Sequence, residues 1–419
     1  MRDWFNFLYH RFREQLWAKP AVICGLSVIV VFLAKAADDT GLGSVAPNVS
    51  VDSLETLLKV IAASMLVMAI FAVGSMVSAF ASASSSATPR AFPLIIADDV
   101  SQNALTAFIG AFIFSIVALF ALQNEYYGPA GRFALLLMTF FVFSVVILTF
   151  VWWVDRIARL GRLGATMDKV EAAAAAAIRR RRHAPRLGGS KVVPRDADAI
   201  VVYGEAVGYV RHVKVASLQS IAEEHETVIE VAALPGTFAS PARPLAYVPN
   251  QAGISSEVMV EISAAFVIGR DRTFEDDPRY GLVVLSEIGS RALSPGINDS
   301  GSAIGVLGSL VRLLVLWAEP AENDTPDEPQ FTRVAVPELD LKDMFDDAFT
   351  MIARDGAGAV EVVVRLQKSF EALASVGNMD ARRVSLIHAR LSVARAEKAL
   401  ELPEDLEAVR NAGRFATVD

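Results

Sequence analysis

FALLLMTFFVFSVVILTFVWWV, residues Phe133–Val154, runs directly into DRIARLGR, residues 155–162. The first string meets the roughly 20 apolar residues that a helix needs to cross a bilayer, and it contains no ionisable side chain. It ends in Trp152–Trp153, residues suited to the membrane interface, and the basic residues Arg156, Arg159 and Arg162 follow. The junction near residue 155 therefore divides the chain into a membrane part and a part with the charge density of a soluble protein.

Three earlier segments extend the membrane part. Pro20–Ala34 is the shortest, and Trp17 and the stems of Lys19 and Lys35 can lengthen it by snorkelling. Val60–Pro89 and Ser101–Asn124 carry no charge. The expected class is membrane α-helical, with about four transmembrane helices, plus a cytoplasmic α+β domain with a small β-module and C-terminal helices. The expected boundaries are 1–155 for the spans, 156–190 for a juxtamembrane basic helix and linker, 191–252 for the β-module and 253–419 for a mostly helical domain.

Basic residues flank the spans asymmetrically. Arg2, Arg11, Arg13 and Lys19 precede the first, whereas the loop after it holds Asp38, Asp39, Asp52 and Glu55. Lys and Arg favour the cytoplasmic side, so a multi-pass inner-membrane protein with both termini in the cytoplasm is expected. A basic arm, a short apolar core and Ala34–Lys35–Ala36 also fit a cleaved signal peptide, and the long aromatic arm favours an uncleaved anchor.

Across 419 residues, 53% are hydrophobic and 21% charged, and the formal net charge of −8 argues against a general nucleic-acid binder. The single cysteine, Cys24, excludes an intrachain disulfide. No ionisable residue sits in the core of a span, which argues against a proton-coupled carrier or pump. Gly74, Ser78 and Ser82 recur every four residues in the second span, a spacing that lets helices approach closely. Packing within one chain is the plain reading, and a self-association face the sharper one. Arg179, Arg180, Arg181 and Arg182 end the juxtamembrane helix as a topology signal, or as a site for anionic lipid head groups.

Beyond Gly188–Gly189, short runs rich in Val, Ile and Tyr predict strands at 199–203, 208–213, 227–232 and 245–248, with a helix at 215–224. A partly closed module is the expected product. Helical periodicity returns over 254–319, with Pro278 opening a helix to about Ala292. Residues 321–330 read as an exposed acidic loop, and residues 340–411 as two or three amphipathic helices broken near Gly377–Asn378.

The stretches Asp271–Asp277 and Arg291–Asp299 resemble the signature of the bacterial predicted membrane proteins grouped as domain of unknown function 2254. Thr88–Pro89–Arg90 and Leu234–Pro235–Gly236–Thr237–Phe238 extend the resemblance over most of the chain, in order. Where the family usually continues Asn-Asp with Pro and then Thr-Ala, this chain has Ser300–Gly301–Ser302–Ala303. The resemblance implies the membrane-plus-cytoplasmic architecture and no established activity.

No P-loop, His-Glu-x-x-His, Gly-x-Ser-x-Gly or metal-ligand spacing of the five histidines occurs, so neither catalytic residues, a cofactor nor a metal is expected. The best candidate is Ser294, Pro295, Gly296, Asn298 and Asp299, joined by Arg270, Arg272, Asp276, Asp277 and Arg291. Ser294–Pro295–Gly296 suits a tight turn, and Asn298 or Asp299 suits a helix cap. With the arginines, such a set can hold an anion or a partner loop, or fix helices as a salt-bridged core. Paired carboxylates at Asp276–Asp277 suit acid–base work only if both face one site.

Three classes follow: an oligomeric channel or transport component, a membrane-anchored sensor or scaffold whose soluble domain binds a partner or ligand, and an enzyme at the membrane surface. Four spans exceed what tethering requires, which favours the first, as a homo-oligomer in the lipid bilayer.

Overall fold

The computed structural model describes residues 18–40, 47, 49–86, 88–96, 99–157, 162–250, 254–318, 329–376 and 378–417. The N-terminal arm with Arg2, Arg11 and Arg13 lies outside them, as do Arg159, residues 321–328 and Gly377. The chain divides into two compact units, Met1–Thr166 and Met167–Asp419.

The first unit is helical: α1 (Ala18–Lys35), α2 (Val51–Ser86), the short α3 (Phe92–Ile96), α4 (Asp99–Gln123) and α5 (Pro129–Ile157). The second helix begins well before the apolar run at Val60. Leu54 and Leu58 are buried while Asp52 and Lys59 stay in the open, so an amphipathic lead-in extends the span. α4 packs against both α1 and α2. One apolar cluster joins Val31, Leu58, Phe114 and Leu135, and another joins Ile61, Met65, Phe108 and Trp153. The two tryptophans at the end of α5 part company. Trp152 is 77% exposed, whereas Trp153 is buried edge-on to Phe108 and Phe71. Only Trp152 presents the surface expected of an interfacial ring.

At one end of the bundle, Asp38 reaches the start of α5. Its carboxylate accepts from Gly128 N at 2.8 Å and Gly131 N at 2.7 Å, where negative charge is favoured at a helix N-terminus. A Cβ at either glycine would collide with that carboxylate. Tyr127 Oη donates to Val31 O at 2.8 Å, and Ser27 Oγ to Gly110 O at 3.1 Å. These bonds tie the C-terminal half of the first helix, and the residues just after it, to α4 and to the start of α5.

The helix α6 (Leu163–His183) leads into the second unit. There follow β1 (Gly189–Ser190), β2 (Ile200–Tyr203), β3 (Gly208–Val213), α7 (Val215–Glu224), β4 (Ile229–Val231), β5 (Phe238–Ala239), β6 (Pro244–Val248), α8 (Ser256–Ala264) and β7 (Phe266–Gly269). Next come α9 (Pro278–Ala292), α10 (Ser300–Ala318), β8 (Phe331–Ala335), α11 (Leu341–Asp355), α12 (Val360–Val376), α13 (Met379–Ala399) and α14 (Pro403–Ala412).

The strands form two sheets, of order β1-β8-β4-β6-β2 and β5-β3-β7, instead of one partly closed module. Both recruit strands from beyond residue 252. β7 interrupts the stretch 254–319, whose periodicity reads as helical, and β8 lies parallel between β1 and β4. Such short strands depend on partners distant in sequence, which local patterning does not reveal. Val210, Leu218, Ile229, Leu245, Ile262 and Val334 share the core beneath them.

Among the described residues, four C-terminal helices are present where two or three were expected. Phe345, Phe349 and Phe370 are fully buried among them, with α11 packed on α9. Among the described residues, five helices are long and apolar enough to cross a membrane: Pro20–Asp39, Val51–Ser82, Asn103–Gln123, Pro129–Ile157 and Ser300–Ala318. The fifth is α10, which packs against α9 and α12 through Leu307, Leu310 and Leu314. It also carries Arg312, paired with Glu171 at 2.6 Å. Its apolar character is that of a core helix in the second unit.

Candidate functional site

The signature residues fall at the two ends of α9. Asp277 caps its first turn, Oδ1 accepting from the amides of Arg279 and Tyr280 at 3.2 Å each. At the far end, Asp299 accepts from Ser302 N at 2.9 Å and Ser302 Oγ at 2.6 Å. Fifteen residues of helix separate the ends, on the order of 22 Å at the α-helical rise. Asp276 and Asp277 therefore do not share a site with Ser294–Asp299.

The far end is a turn and a cap. Ser294 Oγ donates to Arg291 O at 2.7 Å, Asn298 N to Ser294 O at 2.9 Å and Asp299 N to Ala292 O at 2.8 Å. Asn298 takes the left-handed backbone, φ 50°, which asparagine tolerates better than most residues. Pro295, Gly296, Asn298 and Asp299 are exposed. The hydrogen bonds from Ser302 hold the Asp299 carboxyl below the usual range.

The near end is a charged hub. Asp277 is 3% exposed, and its Oδ2 accepts from Arg272 Nε at 2.6 Å. Burial pushes its carboxyl up, with Arg272 and the Tyr280 amide pulling the other way. Gly236, at φ 93°, presses against this carboxylate and has no room for a Cβ. Two segments of the signature, Leu234–Phe238 and Asp271–Asp277, meet there. Arg279 forks between Asp347 and Asp343 of α11, each at 2.6 Å.

Asp276 turns away from its neighbour. Its Oδ2 lies 2.7 Å from His212 Nδ1. The bond from Asp276 raises the His212 pKa, and the same bond lowers that of Asp276. The β3–β7 register shifts between Val210 and His212, the kind of bulge that re-aims side chains. Arg211 Nε there donates to Asp271 O at 2.8 Å. The two adjacent carboxylates thus serve different partners and do not form an acid–base pair.

The arginine run of α6 divides in the same place. Arg181 is 3% exposed and its Nη2 donates to Asp276 O at 3.1 Å, while Arg180 donates to Glu275 O. Burial pulls the Arg181 pKa down to about 10, with Asp277 and Asp276 opposing. Arg179 is exposed and Arg182 half-buried, so the four do not present one face. Arg270 is exposed, beyond the hub.

A groove of about 550 Å³ opens beside the hub, lined by Arg180, Arg181, His212, Lys214, Glu275 and Asp276 among others. Sequence reasoning passed over His212 and Lys214, because neither lies in a motif and the bulge that aims His212 is a property of the paired strands. Among the described residues, no group of three or more His, Cys, Asp or Glu is placed to hold a metal ion.

Gly74, Ser78 and Ser82 of α2 are exposed, and nothing lies within 4 Å of a Cβ built on Gly74. They face away from the chain's own bundle, which is held instead by Ala72, Met76 and Ala79.

A family described as Predicted membrane protein (DUF2254) matches residues 13–372. No curated protein and no solved structure matches the chain.

Proposed function

Since the chain belongs to this family of predicted membrane proteins, whose function is unknown, we propose that it is a multi-pass membrane sensor whose second unit binds a ligand in the groove beside the charged hub. The observation that carries this reading is the grip of Arg180 and Arg181 on the carbonyls of Glu275 and Asp276 at the groove wall. Both arginines sit on α6, which starts six residues after α5 ends. A ligand that competes for these guanidiniums changes the hold on α6, the one helix that continues the chain from the last span. The flanking arginines support a cytoplasmic second unit. Hydrogen exchange of the full-length protein in nanodiscs, with and without a groove ligand, tests this. Altered protection along Leu163–His183 is expected, and unchanged protection at saturation overturns the reading.

A second reading, an oligomeric pore, is favoured by the outward face of Gly74, Ser78 and Ser82. Within one copy the buried hydroxyls of Ser115 and Thr139 are occupied by Ala111 O and Leu135 O of their own helices. In this reading a polar path is built from several copies around an axis. Native mass spectrometry from nanodiscs tests it: a ring-sized oligomer supports the pore, and a monomer removes it.

A further inference from the structure

We propose that the groove takes the phosphate group of a phosphomonoester, held between Arg181, Lys214 and the first-turn amides of α7. The inference rests on the ligand-binding reading above and adds the chemistry of the ligand. Three observations converge on it. Arg181 lines the groove and is 97% removed from solvent, yet its Nη1 has no hydrogen-bond partner. A buried guanidinium nitrogen without an acceptor is costly unless an anion completes it.

Next, α7 opens onto the same groove through Val215, Ala216 and Ser217, and no side chain caps it. Helix N-termini present free N–H groups and about half a positive charge, the arrangement that binds phosphate. The residue at the cap position is Lys214, a cation where Ser, Thr, Asp or Asn is the usual choice. Such a cap repels its own helix end, and an anion between them relieves the repulsion.

Charge balance favours the same ligand. Arg180, Arg181 and Lys214 bring three positive charges against two carboxylates, Glu275 and Asp276, and Asp276 is already bound by His212. The groove is larger than a phosphate ion needs, and Leu187, Pro235 and Phe331 give it an apolar wall. That wall suits the organic part of a monoester. Both a soluble metabolite and a lipid headgroup offer this chemistry.

The test uses the full chain in phosphatidylcholine nanodiscs, titrated calorimetrically with inorganic phosphate and with phenyl phosphate, and in parallel nanodiscs containing phosphatidic acid. Saturable binding is expected, tighter for phenyl phosphate. Lys214→Ala should weaken it about tenfold, as loss of one charge-assisted hydrogen bond predicts. Ala216→Asp should abolish it by placing a carboxylate on the anion's position, without loss of thermal stability, because Asp is favoured in a helix's first turn.

Binding in neutral nanodiscs identifies a soluble ligand, and retention of phosphatidic acid alone identifies a headgroup. No saturable binding in any arm, or undiminished binding by Ala216→Asp, overturns the proposal. Phosphate binding without altered α6 exchange overturns the sensor reading and leaves the site standing. A different ligand co-purifying with the protein and altering α6 exchange does the reverse.

Discussion

The carboxylate of Asp277 presses against Gly236 so closely that a methyl group cannot fit between them. Gly236 also has a positive φ, so Gly236→Ala adds backbone strain to the collision. Left-handed backbone alone costs about 1–2 kcal/mol for a residue with a Cβ. The loss on unfolding the second unit should exceed that range. A smaller loss by denaturant titration would mean the contact yields easily.

Asp277 and Arg272 form a mostly buried pair, with side chains 3% and 17% exposed. Asp277→Ala should cost about 3–5 kcal/mol by leaving the guanidinium unpaired. Asp277→Ala with Arg272→Met should cost less than Asp277→Ala alone. Chemical unfolding of the single and double variants checks this, and additive losses would deny the coupling.

The His212–Asp276 pair has a signed pH dependence. The folded His212 pKa is raised, so its contribution is full below 6.5 and is lost as pH rises through the higher folded value. The folded Asp276 pKa is lowered, so its contribution is present above 3.8 and is lost as pH falls through the lower folded value. The pair is strongest from about pH 4 to pH 6.5. NMR titration of the His212 ring should show the raised value, and Asp276→Asn should bring it back toward 6.5. An unchanged midpoint in that variant would remove Asp276 as the cause.

Asp299→Ala should lower stability by about 0.5–2 kcal/mol, as loss of a helix cap does. It should leave phenyl phosphate affinity unaltered, since Asp299 stands at the far end of α9 from the hub. A calorimetric titration in which affinity falls with this substitution would place Asp299 in the ligand site.

Gly74→Leu and Ser78→Leu should leave the monomer's fold intact, because that face of α2 is open. They should shift native mass spectra toward monomer by blocking close helix approach. An oligomer that persists in both variants assigns its interface to another face.

The spans were readable because a bilayer demands long uninterrupted apolar runs, and α7 and α9 because Pro278 and flanking breakers bound them. The candidate site was readable only as parts. Asp276 and Asp277 are adjacent in the chain, and nothing local tells that one turns to His212 and the other to Arg272. Those directions depend on a bulge between paired strands and on Gly236 arriving from another loop. The arginine run reads as one basic cluster, yet helical geometry buries Arg181 and exposes Arg179. The strand Phe331–Ala335 is defined by its pairing with β1 and β4, which lie more than 90 residues earlier in the chain and leave no local signal.

The clamp between Asp38 and the start of α5 also bears on how the protein is made. Its two hydrogen bonds close chain separations of 90 and 93 residues. At about 5–20 residues per second, synthesis of that stretch takes on the order of 5–20 s. During this interval the first helix has emerged but the carboxylate of Asp38, three residues past its end, still lacks its partners. α1 docks on α4 first, through Ser27 and Gly110, and the clamp beyond its C-terminal end closes only when the start of α5 arrives.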